Sequence, residues 1–438
     1  ILPDNVVLRG QSLQDTVFLW TPLKWDYGKL PPYLLGIGSG NVEISDISFY
    51  GTRIGGFIHI FGGLDGSDSK NIYIENCRTY FSPYGGPATG AGQNVSPLVD
   101  GIEMQVLIAR EGGSMGGNTP ALIVAKEALT NFQVRNFDMV SYGNQRGVAA
   151  EVSSRSTPYA YWQMDGFDMT AYWSECRLEN SLWENGVYED TCLGVWGNGL
   201  YFAGNELRDL TVSNRELFVA DRGPMLNDAV MQKDESDPSG RTYIISNVNT
   251  SIQMLEGAQI YVATGQGTGQ TRHIESASVI DGGRKVVLQR AFINEPNRNS
   301  RVIIRRSREN IFMVENYFYN GASGGFYGGF ADVVYDGNLH ERHGNIYQWA
   351  YNSDVNWYLT YVNEKIIYDP YFFHSIGVES EAGFSHLIIH ADGTHPECNR
   401  ASIFRRNDLN GQFLWFEGRQ ADSLLDTIVD NNLFSNAD

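Results

Sequence analysis

The chain reads as an all-β protein built on a repeat, and three observations carry that reading. One pattern, an apolar residue, then an acidic residue or Gly, then Asn, then an aromatic or apolar residue, occurs twice between positions 314 and 342. Its Asn residues, Asn316 and Asn338, lie 22 positions apart, and the pattern returns at 74–76, 178–186 and 429–437. Two longer pairs also match at a spacing of 30: NVEISDISFYG (41–51) with NIYIENCRTYF (71–81), and FQVRNFDMVSYG (132–143) with WQMDGFDMTAYW (162–173). Within these runs apolar residues alternate, as a strand with one buried face requires. A β unit returning every 20 to 50 residues or so, closed by Asn and Gly turns, predicts a parallel β-solenoid.

The chain in order gives two short strands around a Gly turn in 1–20, then the matched repeats. Between them, residues 84–120 are Gly-rich and read as excursions, because glycine punctuates structure more than it builds it. KEALTNF (126–132) is the one short helical candidate. From about Thr211 to Arg306 the Asn pattern stops, and longer alternating strands joined by polar turns take its place. This predicts three segments: N-terminal coils over 1–210, a small inserted antiparallel β-domain over 211–306, and C-terminal coils over 307–438. GQGTGQTRH (265–273) resembles a phosphate loop only in its glycines. A strand follows it where a dinucleotide fingerprint needs a helix, so it reads as a hairpin.

Composition narrows the function classes. With 51 acidic against 32 basic residues the formal net charge is −19, which repels phosphate backbones and argues against nucleic acid as a partner. No apolar run is long enough to span a bilayer. The sequence opens inside a pattern at Ile1 and stops inside a repeat at Asp438, so a processed or incomplete chain is expected, with the export signal in a missing end. Cys77, Cys176, Cys192 and Cys398 follow no metal spacing; they read as buried thiols, with a local Cys176–Cys192 bridge as the alternative.

The coil periodicity, the Asn turns and the LRG run at 8–10 resemble the right-handed parallel β-helix proteins, the broad pectate-lyase-like superfamily. That resemblance covers 1–210 and 308–438. It implies a secreted or cell-surface protein with polysaccharide as its partner, acting as a glycoside hydrolase or polysaccharide lyase. The alternative it implies is a non-catalytic adhesin or phage tailspike-like rod, the latter a homotrimer. No cofactor is expected. Calcium is the ion some members hold, but their Asp cluster is not recognisable here, nor are the pectin hydrolase signatures.

Stacked parallel strands bring equivalent residues together, so Asn76, Asn180, Asn316 and Asn431 are expected to bond one another in a ladder. A site should lie where one coil departs from its neighbours. Aligning Gly204–Asn205 with Gly337–Asn338 sets Ala203 against Asp336, so that turn does not itself require a carboxylate. Asp332 and Asp354, 22 positions apart, could stack as an acid–base pair. His340 and His343 could move protons, and Arg342 could hold a sugar carboxylate. On a straight strand the two His would point to opposite faces. Asp221 and Arg222 could line a cleft at the insert, while Trp196 and Trp349 could stack on sugar rings. Asp332, Asp336 and Asp354, with His340, Arg342 and His343, are expected to face one groove near the insert; the alternative for these charged residues is a solvated turn. The β-helix interior is expected to prefer aliphatic side chains and Asn, leaving several of the rings of Trp162, Trp173, Trp183, Trp196, Trp349 and Trp357 outside.

Overall fold

The computed structural model describes residues 2–20, 33–37, 40–54, 56–60, 69–83, 123–125, 129–141, 162–164, 169–174, 177–180, 193–194, 199–208, 218–219, 226–246, 248, 250–305, 308–321, 324–327, 329–350, 355–367, 369, 387–391, 398–410, 414–418 and 424–435. It is an all-β protein whose sheets are parallel except in one antiparallel unit. Among the described residues the sole α-helix is the four-residue Ile252–Leu255, which the sequence reading missed. No helix there is long and apolar enough to cross a membrane. Over 129–132 the helical candidate is corrected, since Leu129–Ser141 is a strand whose inward residues Phe132, Val134 and Phe137 are buried; residues 126–128 lie outside the described residues.

The largest sheet grows by adding, to each strand, a parallel partner from later in the chain. Val6 faces Val42, Val42 faces Ile72, Ile72 faces Phe132, and Phe132 faces Ala171. The column continues from Ala171 to Leu200, Ile311, Val333 and Leu359. Because neighbours repeat the same in–out alternation, Val42, Ile44, Ile72, Ile74, Phe132 and Val134 all point into one core. The 41–51 and 71–81 match is the true register, Ser45 facing Glu75. The 132–143 and 162–173 match is not. Asp138 faces Arg177, and Trp162–Met164 belongs to a separate six-stranded parallel sheet. Shared composition misaligned two strands from different sheets.

Sharp bends follow the Asn signal. Asp46, Asn76 and Asn136 adopt left-handed φ near +50°, a region that Asn and Asp tolerate better than most residues. Their side chains stack, Asn136 Nδ2 donating to Asn76 Oδ1 at 3.1 Å and Asn76 in turn to Asp46. The residue after each bend turns inward: Cys77 and Phe137 in the early strands, then Asn205, Asn316, Asn338, Glu364 and Asn407. From Asn205 onward this inward position is a buried amide ladder. Asn316 Nδ2 donates to Asn338 Oδ1 at 2.9 Å while Asn316 Oδ1 accepts from Asn205 at 3.0 Å. Asn431 is the bend residue (φ +54°), and Asn432 beside it carries the ladder bond from Asn407, a one-residue correction. The Asn180 side chain lies outside the described residues. Cys77 is a buried free thiol, and burial pushes its pKa up to about 12; the other three Cys side chains lie outside the described residues.

Between Leu200–Ala203 and Arg308–Val314, which pair directly, the chain leaves to form a seven-stranded antiparallel sheet running from Leu226–Ala229 to Arg301–Arg305. That unit has its own core, including Tyr243, Ile245, Leu255, Ile260, Val286 and Ile304. Gly265, Gly267 and Gly269 lie in the hairpin between Gln259–Thr264 and Thr271–Ile280, as the sequence predicts. Gly269 sits at φ +96°, and a Cβ there would come within 3.1 Å of Arg400 Nη2 on the parallel sheet.

Candidate functional site

The antiparallel unit meets the large parallel sheet through a small apolar cluster: Tyr261, Ala263 and Ile303 against Ala331, Val355 and Trp357. The Tyr261 and Trp357 ring centroids are 5.0 Å apart. Arg305 is buried under this seam, with its guanidinium 4.4 Å over the Tyr261 ring and bonded to the carbonyls of Val355 and Phe330. Trp357, one of the six Trp rings of which several were expected outside, is 2 % exposed and packs against the antiparallel unit.

Beside this seam lie two carboxylates on adjacent strands. Asp332, in Phe330–Asp336, takes φ +53° and its side chain is exposed. Glu309, in the neighbouring strand Arg308–Val314, is only 9 % exposed and faces Ala331 in register. Asp332 is the residue after Ala331, on a strand roughly 4.8 Å away, and its charge acts on Glu309. Burial raises the Glu309 pKa to about 7, the Asp332 charge adds to the rise, and Arg305 opposes it. Though its surface is exposed, Asp332 is also raised by partial desolvation from its neighbours, which His273 opposes when protonated. From the antiparallel unit, His273 Nε2 approaches Glu309 Oε2 to 3.8 Å. An acid protonated near neutral pH beside a second carboxylate is the arrangement general acid–base chemistry needs.

Glu309 and His273 were missed because their signals are not local. Glu309 precedes a bend Asn, and His273 sits in a hairpin that reads as plain scaffold. The expected partner of Asp332, Asp354, lies outside the described residues. The position facing Asp332 on the following strand is Tyr358, also left-handed, since Ala331 pairs Trp357 and Val333 pairs Leu359. The carboxylate neighbour belongs to the preceding strand instead.

The expectation that Asp332, Asp336, His340, Arg342 and His343 share one groove is corrected. His340 and His343 are both fully buried, their ring centroids 4.9 Å apart. Arg342 between them has φ +53°, and this break in the alternation turns both rings inward, where a straight strand would have opposed them. Burial holds His340 well below the ordinary imidazole range and His343 down at about 4. Arg342 stays outside, donating to Asp369 and to the Tyr319 hydroxyl, both at 3.0 Å. Asp336 is half-buried at the Gly337 bend and accepts from Asn363 Nδ2 at 2.7 Å. Trp349 belongs to a separate four-stranded parallel sheet, its ring tilted against that of Tyr347 with centroids 6.0 Å apart. Asp221 and Arg222, and the Trp196 ring, lie outside the described residues. Among the described residues, no group of three or more His, Cys, Asp or Glu could hold a metal ion.

No protein-family profile and no curated protein matches the chain. The functional reading therefore rests on the geometry and on the resemblance carried by the sequence repeats.

Proposed function

We propose that this protein is a right-handed parallel β-helix acting on a polysaccharide outside the cell, with its active site where the antiparallel unit meets the helix. The direct pairing of strands 22 to 60 residues apart, with a ladder of buried Asn side chains beside the later bends, supports the fold. The Glu309–Asp332 pair carries the activity: a buried acid near neutral pH beside an exposed carboxylate. In a glycoside hydrolase, Glu309 would protonate the leaving glycosidic oxygen. Asp332 would serve at the other side of the bond, as nucleophile or as base toward water. A lyase would need instead a base at the sugar C5 and a cation on the uronate, and the paired carboxylates favour hydrolysis over that chemistry.

The test is a panel of neutral and acidic polysaccharides, read for new reducing ends and for the ultraviolet absorbance of unsaturated products. Reducing ends without that absorbance are expected. Absorbance would assign a lyase, and binding without either product would assign a non-catalytic adhesin.

A further inference from the structure

Three residues of the antiparallel unit form a chain of contacts that ends on Glu309. The Tyr261 hydroxyl bonds Gln259 Oε1, Gln259 Nε2 lies 3.4 Å from His273 Nε2, and His273 Nε2 lies 3.8 Å from Glu309 Oε2. Gln259 and Tyr261 are both buried at the seam, while the His273 side chain is 40 % exposed, so the chain runs from the seam out to the surface beside Glu309. Gln259 spends its carbonyl oxygen on Tyr261 and turns its amide nitrogen toward the imidazole. An amide nitrogen can only donate, so the ring nitrogen it meets must accept.

We propose that His273 is the positioning residue of this site: the amide N–H of Gln259 donates to Nε2 and holds the ring as the Nδ1–H tautomer, so the ring edge facing Glu309 offers no N–H to its carboxylate. With no N–H at that edge, the ionised form of Glu309 lacks a donor that would favour it, and the carboxyl keeps its proton. The other groups around the pair are Arg305, which favours the ionised form of Glu309, and Asp332, which disfavours it. The antiparallel unit then supplies part of the site and does more than overhang it. This inference rests on the Glu309–Asp332 pair being the reactive centre.

The experiment is ring nitrogen NMR of the full chain labelled at histidine, at a pH where imidazoles are neutral, with the His273 signals assigned by their loss in His273→Gln. The Nδ1–H pattern is expected for His273, with reversion to Nε2–H in Gln259→Leu. In the active protein, Gln259→Leu should also move the alkaline limb of the pH–rate profile to lower pH, because Glu309 gives up its proton earlier. A His273 ring in the Nε2–H form in the unmutated protein overturns the proposal, whether or not any glycan is cleaved and whether or not Gln259→Leu folds. An Nδ1–H ring in a protein that cleaves no glycan supports the positioning role and counts against the reaction instead.

Discussion

Glu364 Oε2 lies 3.4 Å from Nε2 of His340, and neither side chain reaches solvent. Glu364 occupies a position in the amide ladder held by Asn338 and Asn407 in the strands on either side. It accepts from Asn338 Nδ2 at 3.1 Å, and its backbone N–H donates to Asn407 Oδ1 at 3.0 Å. The Tyr335 hydroxyl also meets His340 Nε2, at 3.0 Å. Burial raises Glu364 well above the ordinary carboxyl range and holds His340 well below the ordinary imidazole range. The cluster is therefore neutral, and the burial of charge that an ion pair would demand is avoided.

This arrangement gives stability a defined pH dependence. Because the folded-state pKa of Glu364 is raised, its contribution is full below the unfolded value near 4.5 and is lost as pH rises through the folded value. Glu364→Gln keeps an acceptor and a donor in the same shape and removes that titration. The variant should fold and should flatten the decline of the urea midpoint toward alkaline pH. An unmutated protein with no such decline, or a variant with the same one, contradicts the account.

The ladder itself should be costly to interrupt. Asn316 accepts from the backbone N–H and the side chain of Asn205 and donates to Asn338 and to the Phe202 carbonyl. Asn316→Ala leaves several buried polar groups unpaired at about 1–3 kcal/mol each. Denaturant titration should show a loss of at least several kcal/mol. A loss below about 1 kcal/mol would mean that water replaces the amide and the ladder is incidental.

At the seam, Trp357 packs against Tyr261 and lies under Arg400, whose guanidinium is 5.3 Å from the ring. Trp357→Ala should cost about 3–5 kcal/mol, as deletion of a buried indole does. It should also separate the melting of the antiparallel unit from that of the parallel sheets in calorimetry. A single transition, shifted by less than a degree or two, would show that the two parts are held together elsewhere.

How much of this was legible in the sequence depended on whether the signal was local. The bends at Asn76 and Gly337 were readable, because left-handed backbone restricts residue type at that position. The departure at Asp336 was real in register, with Ala203 facing Val314 and Val314 facing Asp336. His340 and His343 were misplaced because one left-handed residue, Arg342, resets the in–out alternation, and Arg gives no sign of that conformation. The aromatic interior was also hidden. Phe318 stacks on His340 at 4.6 Å and Tyr361 on Phe404 at 5.1 Å, where aliphatic packing was expected. Glu309 and His273 meet only because the chain leaves the parallel sheet and returns, an encounter that no spacing rule encodes.

The measurement that bears most directly on the proposed chemistry is the pH–rate profile of glycan cleavage for the unmutated protein, Glu309→Gln and Asp332→Asn. With Glu309 raised to about 7, its acid form is present below that pH, so activity should fall as pH rises through it. Each substitution should cost on the order of 10² or more in kcat while circular dichroism stays unchanged. A folded Glu309→Gln protein with the turnover and the alkaline limb of the unmutated one would contradict the account.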